Sequence, residues 1–283
     1  MSGNALKKLG IDALENKPTN GVLVRLTKEQ FLQIKKQLQP ILSSLGDSGF
    51  WRAGGAGSFD PEHRFAKKGT TKLDSGDVDV FVDADKLKEK LGLDAEADDK
   101  AVRQALAAVM SKRFPTLQIG KNVHIGLPTG GEIEGLPTYF QVDLMTMKHA
   151  HDIGQHHEHD YSIKDSPYKG VDQQLALSSL VNSIPGHPPK TFQYDGFGGA
   201  LKNRATGEVI THNVDKIAKL VLGANATADD LGSAESIIQA VGGIDSPRLQ
   251  QFRDDMAKKG IKESSVPVGT PEWFSSLTRK LGV

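Results

Sequence analysis

Two hydrophobic periods run along this chain, and they lay out its elements. Phe31, Ile34, Leu38, Ile41 and Leu42 recur at helical spacing. Thr27 precedes them in capping position, with Gln30 three residues on as its capping-box partner. This predicts a helix that stops near Gly46. A second helix is predicted over the Ala-rich stretch 99–113, with Val102, Leu106, Val109 and Met110 on one face. Period-2 alternation marks residues 77–82 and 138–145 as strands. Shorter strands are expected at 50–53, at 117–119, and at 123–127 after a Lys121-Asn122 turn. Beyond a loop at 149–160, residues 170–184 read as a helix, followed by a Pro-rich break at 185–189. Two or three short strands with a turn at Ala205-Thr206-Gly207 fill 191–211. Helices are then expected at 213–222, 233–241, 246–259 and 271–281, punctuated by Gly and Pro.

The pattern divides the chain into a polar lead-in over 1–22, expected to be mobile, an α/β part over 23–190, and a mostly helical part over 191–283. At 283 residues the chain has room for one large domain or two smaller ones. Asp and Glu together number 35, as do Lys and Arg, so no overall field draws in or repels nucleic acid. The absence of cysteine excludes disulfides, zinc–thiolate sites and a thiol nucleophile. No apolar run approaches the roughly 20 residues that span a bilayer, and the N-terminus lacks an apolar signal core. A cytoplasmic protein without membrane partners is expected.

The chemistry concentrates in the strand Asp77-Val78-Asp79-Val80-Phe81-Val82. Alternation puts Asp77 and Asp79 on one face and three valines on the other. Asp143 lies mid-strand in Tyr139-Phe140-Gln141-Val142-Asp143-Leu144, where a lone Asp is unfavourable unless paired or ligating. If the two strands are neighbours, three carboxylates share one face and repel. Divalent cations resolve that conflict, and Mg²⁺ favours carboxylate together with phosphate oxygens. Two such ions about 3.5–4 Å apart clamp the attacking and leaving oxygens of a phosphoryl displacement. Upstream, Gly57 permits close backbone approach to a phosphate and the Ser58 hydroxyl can donate to its oxygens. No Gly-Lys-Ser/Thr closes the segment, so it is not a P-loop.

Gly57-Ser58-Phe59, followed by Ser75-Gly76-Asp77-Val78-Asp79-Val80 and a later Asp in an apolar strand, resembles the polymerase-beta-type nucleotidyltransferase superfamily. The resemblance covers roughly residues 27–184, although the spacer at 59–76 is longer than in most members. It implies an α+β fold: a small mixed β-sheet with flanking helices, palm-like, ahead of a helical C-terminal region. It also implies catalytic Asp77, Asp79 and Asp143 holding two Mg²⁺ ions, with Mn²⁺ able to substitute. Gly57 and Ser58 would contact the NTP triphosphate, joined by Lys72 from the spacer. Lys169 matches a basic residue that often contacts the triphosphate after the third-carboxylate strand.

The implied reaction transfers NMP from an NTP to a hydroxyl and releases pyrophosphate. A nucleic-acid 3′ end is the favoured acceptor. Lys68-Gly69-Thr70-Thr71 is similar instead to the oligoadenylate- and cyclic-dinucleotide-synthase branches, so a second-messenger synthase stays open, as does small-molecule or protein nucleotidylation. Arg64, Lys67, Lys68 and Lys72 read either as a mobile basic flap or as a solvated loop. His149, His151, His156, His157 and His159 could ligate a metal, yet more often form an exposed loop.

Overall fold

The computed structural model describes residues 5–164, 166, 170–196, 198–243 and 246–248. The chain forms two units that divide after Gly154. The first unit begins with a 3₁₀ turn at Ala5–Leu9, then β1 (Ile11–Asp12), β2 (Gly21–Leu23), β3 (Leu26–Thr27) and α1 (Lys28–Ser44). Next come α2 (Gly54–Gly57), β4 (Asp74–Ser75), β5 (Asp77–Asp83), α3 (Ala84–Lys90) and α4 (Asp99–Met110). It closes with β6 (Thr116–Ile119), β7 (Asn122–Ile133), β8 (Leu136–Met147) and α5 (Ala150–Gln155).

The fold is mixed α and β around a six-stranded mixed sheet. β8 is its spine. β7 pairs antiparallel along one side, while β2 and β5 pair parallel along the other, β2 at residues 138–139 and β5 at 141–147. The β7–β8 turn is Glu134-Gly135, both with positive φ (51° and 76°), as a tight hairpin that matches strand twist requires. One sheet face carries Val78, Val80, Val82, Val123, Ile125, Leu127, Val142 and Leu144, all buried against α1 and α4. Burying each such side chain contributes about 1.5–3 kcal/mol. Thr27 caps α1 in a full capping box with Gln30, as its sequence signature predicts.

Three expectations change here. Residues 5–22 are not a mobile lead-in: Leu6, Ile11 and Val22 are buried, and β1 and β2 extend the sheet. Residues 50–53 form no strand beyond a single bridge from Phe50 to Phe81, because the glycine run turns at once into α2. The division falls at Gly154, not near 190, because helix 170–181 shares its core with the residues that follow it.

The second unit contains α6 (Gly170–Val181), an antiparallel sheet of β9 (Phe192–Asp195), β10 (Ala200–Asn203) and β11 (Val209–Thr211), then α7 (Val214–Leu222) and α8 (Ala234–Ala240). Leu177, Leu180, Leu201, Ile217, Val221 and Ile237 build its core. The Asn213 side chain caps α7 by accepting from Lys216 N at 2.8 Å. The region is therefore partly β in its described residues. The helices expected at 246–259 and 271–281 lie outside them, apart from 246–248.

The histidine-rich segment is a helix followed by buried polar chain. His156 Nε2 donates to the His212 carbonyl (2.8 Å), so its Nδ1 accepts from the Tyr194 hydroxyl (3.2 Å). His159 Nδ1 meets Gln173 Oε1 at 3.0 Å. Burial, together with the neighbouring His156, pushes His157 down to about 4. Between the ordinary histidine value of 6.5 and about 4, the unfolded chain takes up a proton that the folded one refuses. Stability is thus whole above that window and falls through it, by roughly 2–3 kcal/mol in total. Urea midpoints at about pH 7 and about pH 4.5 check this. The acid loss should shrink in His157→Gln, and an undiminished loss there would assign it elsewhere.

Candidate functional site

The opposite face of the main sheet is where charge collects. β5 and β8 pair in the register Asp77↔Gln141, Asp79↔Asp143 and Phe81↔Met145, and β7 sets His124 opposite Asp143. One row across three strands therefore reads Asp79, Asp143, His124. Next to it, Phe81 packs with Phe50, Ala53, Ala150 and Ile153 in a small apolar cluster that covers one end of the face. At the other end Leu6 reaches Gly126. The two acidic rows lie between these covers.

Asp143 is fully buried and Asp79 partly so. Asp143 Oδ1 lies 2.7 Å from His124 Nδ1 and accepts from Gln141 Nε2 at 2.9 Å. Asp143 Oδ2 and Asp79 Oδ1 are buried and accept no hydrogen bond. Burial raises both carboxyls above the usual range. For Asp79 the charges of Asp77 and Asp143 push further the same way, whereas the His124 and Gln141 hydrogen bonds pull Asp143 back. Such orphaned carboxylate oxygens are costly unless a cation or donor meets them. Among the described residues, no three His, Asp or Glu side chains already stand together as a metal-holding group.

Around the acidic rows sit small residues and cations. A Cβ on Gly54 (φ +67°) would lie 2.3 Å from Asp79 Oδ2, and one on Gly55 would lie 2.4 Å from Lys72 Nζ. Arg25 pairs with Asp74 at 2.9 and 2.8 Å, and its charge also acts on Asp77.

The register places Asp77, Asp79 and Asp143 on one sheet face and Lys72 Nζ stands beside Gly55, while the glycine–serine turn differs from expectation. Gly57 is small because the Arg52 carbonyl lies 2.3 Å from where its Cβ would stand. The Ser58 hydroxyl donates to the Gly55 carbonyl (3.1 Å) and meets Thr70 Oγ1 at 3.2 Å. Gly54, not Gly57, adjoins Asp79, and Gly55 adjoins Lys72. Lys169 lies outside the described residues. Sequence reading overlooked His124, Gln141 and Arg25. Only Gln141 carried a local signal, as it shares the Asp143 face of its strand.

The spacer is neither a free flap nor a plain solvated loop. Phe59, Asp60, His63 and Phe65 are buried, and Phe59 meets Phe31 edge-on at 6.2 Å. Asp60 pairs with Lys35 on α1 at 2.6 Å. This anchoring leaves Lys67 and Lys68 exposed, with Lys68 Nζ 4.8 Å from the Phe65 ring centre.

Comparison of the chain with protein-family models and with curated protein sequences finds no match. No helix among the described residues is long and apolar enough to cross a membrane.

Gly54→Ala should cost about 1–3 kcal/mol from left-handed backbone strain, plus the displacement of Asp79. Gly92, at φ +68° in the turn that ends α3, has nothing within 4 Å of its Cβ position, so Gly92→Ala supplies the backbone part. Urea unfolding compares the two. Equal losses would mean that Gly54 does not press on Asp79. Lys35→Met should destabilise the protein by about 1–3 kcal/mol, because it removes the charged partner of a buried carboxylate. No change would remove Asp60 as the spacer's anchor.

Proposed function

We propose that the first unit is a metal-dependent nucleotidyltransferase of the polymerase-beta-like kind. It transfers NMP from an NTP to a hydroxyl, with a nucleic-acid 3′ end as acceptor. The observation that carries this reading is the row of Asp79 against Asp143 on parallel strands, each with a buried oxygen that no protein donor satisfies. On this reading the mixed sheet is the palm of the fold.

The donor set fits hard divalent cations, which take oxygen ligands. Asp77, Asp79 and Asp143 would hold Mg²⁺, with Mn²⁺ as a substitute. Bound there, two such ions supply charge neutralisation at the triphosphate and a lowered pKa at the attacking hydroxyl. The residues of the chain do the rest. The Lys72 ammonium, beside Gly55, offers a point charge to phosphate oxygens. Gly54 and Gly55 keep that approach free of side chains. Asp143 would present Oδ2 as a cation ligand beside the attacking hydroxyl, its Oδ1 being held by His124 and Gln141. Exposed Lys67 and Lys68 favour a polyanionic acceptor, whose affinity would fall steeply with salt.

Labelled NTPs with Mg²⁺, supplied with RNA, with DNA or alone, test the reading. Extended strands support it, and short cyclic or linear products redirect it to a second-messenger synthase. No product under any condition would end it. Asp79→Asn should abolish turnover yet stabilise the protein in EDTA at neutral pH by about 1 kcal/mol. The sign follows from the raised carboxyl: ionised Asp79 costs stability above its folded-state value, and the cost vanishes as pH falls below the unfolded one. The gain in Asp79→Asn should therefore shrink in acid. Full turnover in Asp79→Asn would remove Asp79 from the chemistry.

A further inference from the structure

We infer that His124 and Gln141 are positioning residues that fix Asp143 so that one oxygen is occupied by protein and the other is presented to a cation. The inference rests on the metal-site reading above and adds to it two residues outside the carboxylate set.

The geometry is specific. Both donors converge on the same oxygen, Asp143 Oδ1, at 2.7 and 2.9 Å, and neither is assigned to Oδ2. An ionised carboxylate only accepts, so His124 Nδ1 must carry its hydrogen in the state that binds a cation. The donors reach Asp143 from two directions. His124 lies across the ladder on β7, and Gln141 lies two residues back along β8 on the same face. Two bonds from different directions lock the carboxylate plane, which one bond would leave free to swing. All three side chains are buried, so no competing solvent donor loosens the arrangement. Were their role only to offset the burial of a carboxylate, donors shared between the two oxygens would serve equally well. Partners behind metal ligands typically change metal affinity by about 10–100-fold when removed.

Mn²⁺ binding to nucleotide-free protein, followed by electron paramagnetic resonance, separates the roles. His124→Leu and Gln141→Met should each weaken binding about tenfold or more. His124→Asn places an amide nitrogen near the position of Nδ1 and should restore affinity to within about threefold of wild type. Thermal midpoints in EDTA report folding separately. If His124→Leu fails to fold, Gln141→Met and His124→Asn decide the matter. Wild-type affinity in Gln141→Met and in any folded His124→Leu, with binding lost in Asp79→Asn, overturns the positioning role and leaves the metal site standing. Failure of wild type to take up Mn²⁺, with or without ATP, overturns both.

Discussion

The parallel pairing of β5 with β8 is the constraint on which the first unit depends. Seven residue pairs in register bury the valines of β5 on one side, and the same register forces Asp79 against Asp143 on the other. The apolar side contributes strongly to stability, whereas the acidic side subtracts from it. The surroundings of the acidic face are the fold's response: an imidazole and an amide at Asp143, a glycine at 54 where a side chain would collide with Asp79, and Arg25 acting on Asp77. A fold selected for stability alone would replace Asp79 and Asp143 with apolar residues. Asp79 and Asp143 are thus a cost that the apolar face of the same strands offsets.

Local patterns in the sequence carried the elements well. Alternation in residues 77–82 and 138–145 marked both acidic strands, and Thr27 with Gln30 marked the start of α1. The β6–β7 hairpin was readable with its turn one residue off, at Gly120-Lys121, and the two or three short strands expected at 191–211 are three. What escaped was non-local. Nothing around His124 indicates that β7 will bring it to Asp143, 19 residues away. Gly57 stood in the motif position, but its lack of a side chain answers to Arg52, and only the folded backbone shows that Gly54 adjoins Asp79. The lead-in looked mobile because its strands are two and three residues long, too short to show a period, and they exist only by pairing with β8 and each other.

The histidine-rich segment follows expectation at His149 and His151, which are exposed, and departs from it further on for a related reason. Polar composition suggested exposure, yet His156 and His159 are buried because backbone carbonyls, Tyr194 and Gln173 satisfy their ring nitrogens. A polar side chain tolerates burial once its partners are in place. Those partners lie between 14 and 56 residues distant in the chain.

The anchoring of the spacer has a thermodynamic corollary. Phe59 is seated among Phe31 and its neighbours, and Asp60 is tied to Lys35, so the backbone beside Lys67 and Lys68 is ordered as the domain folds. The exposed lysine side chains keep their own rotamer freedom, while the ordering cost of the backbone that carries them is met by the core when the unit folds.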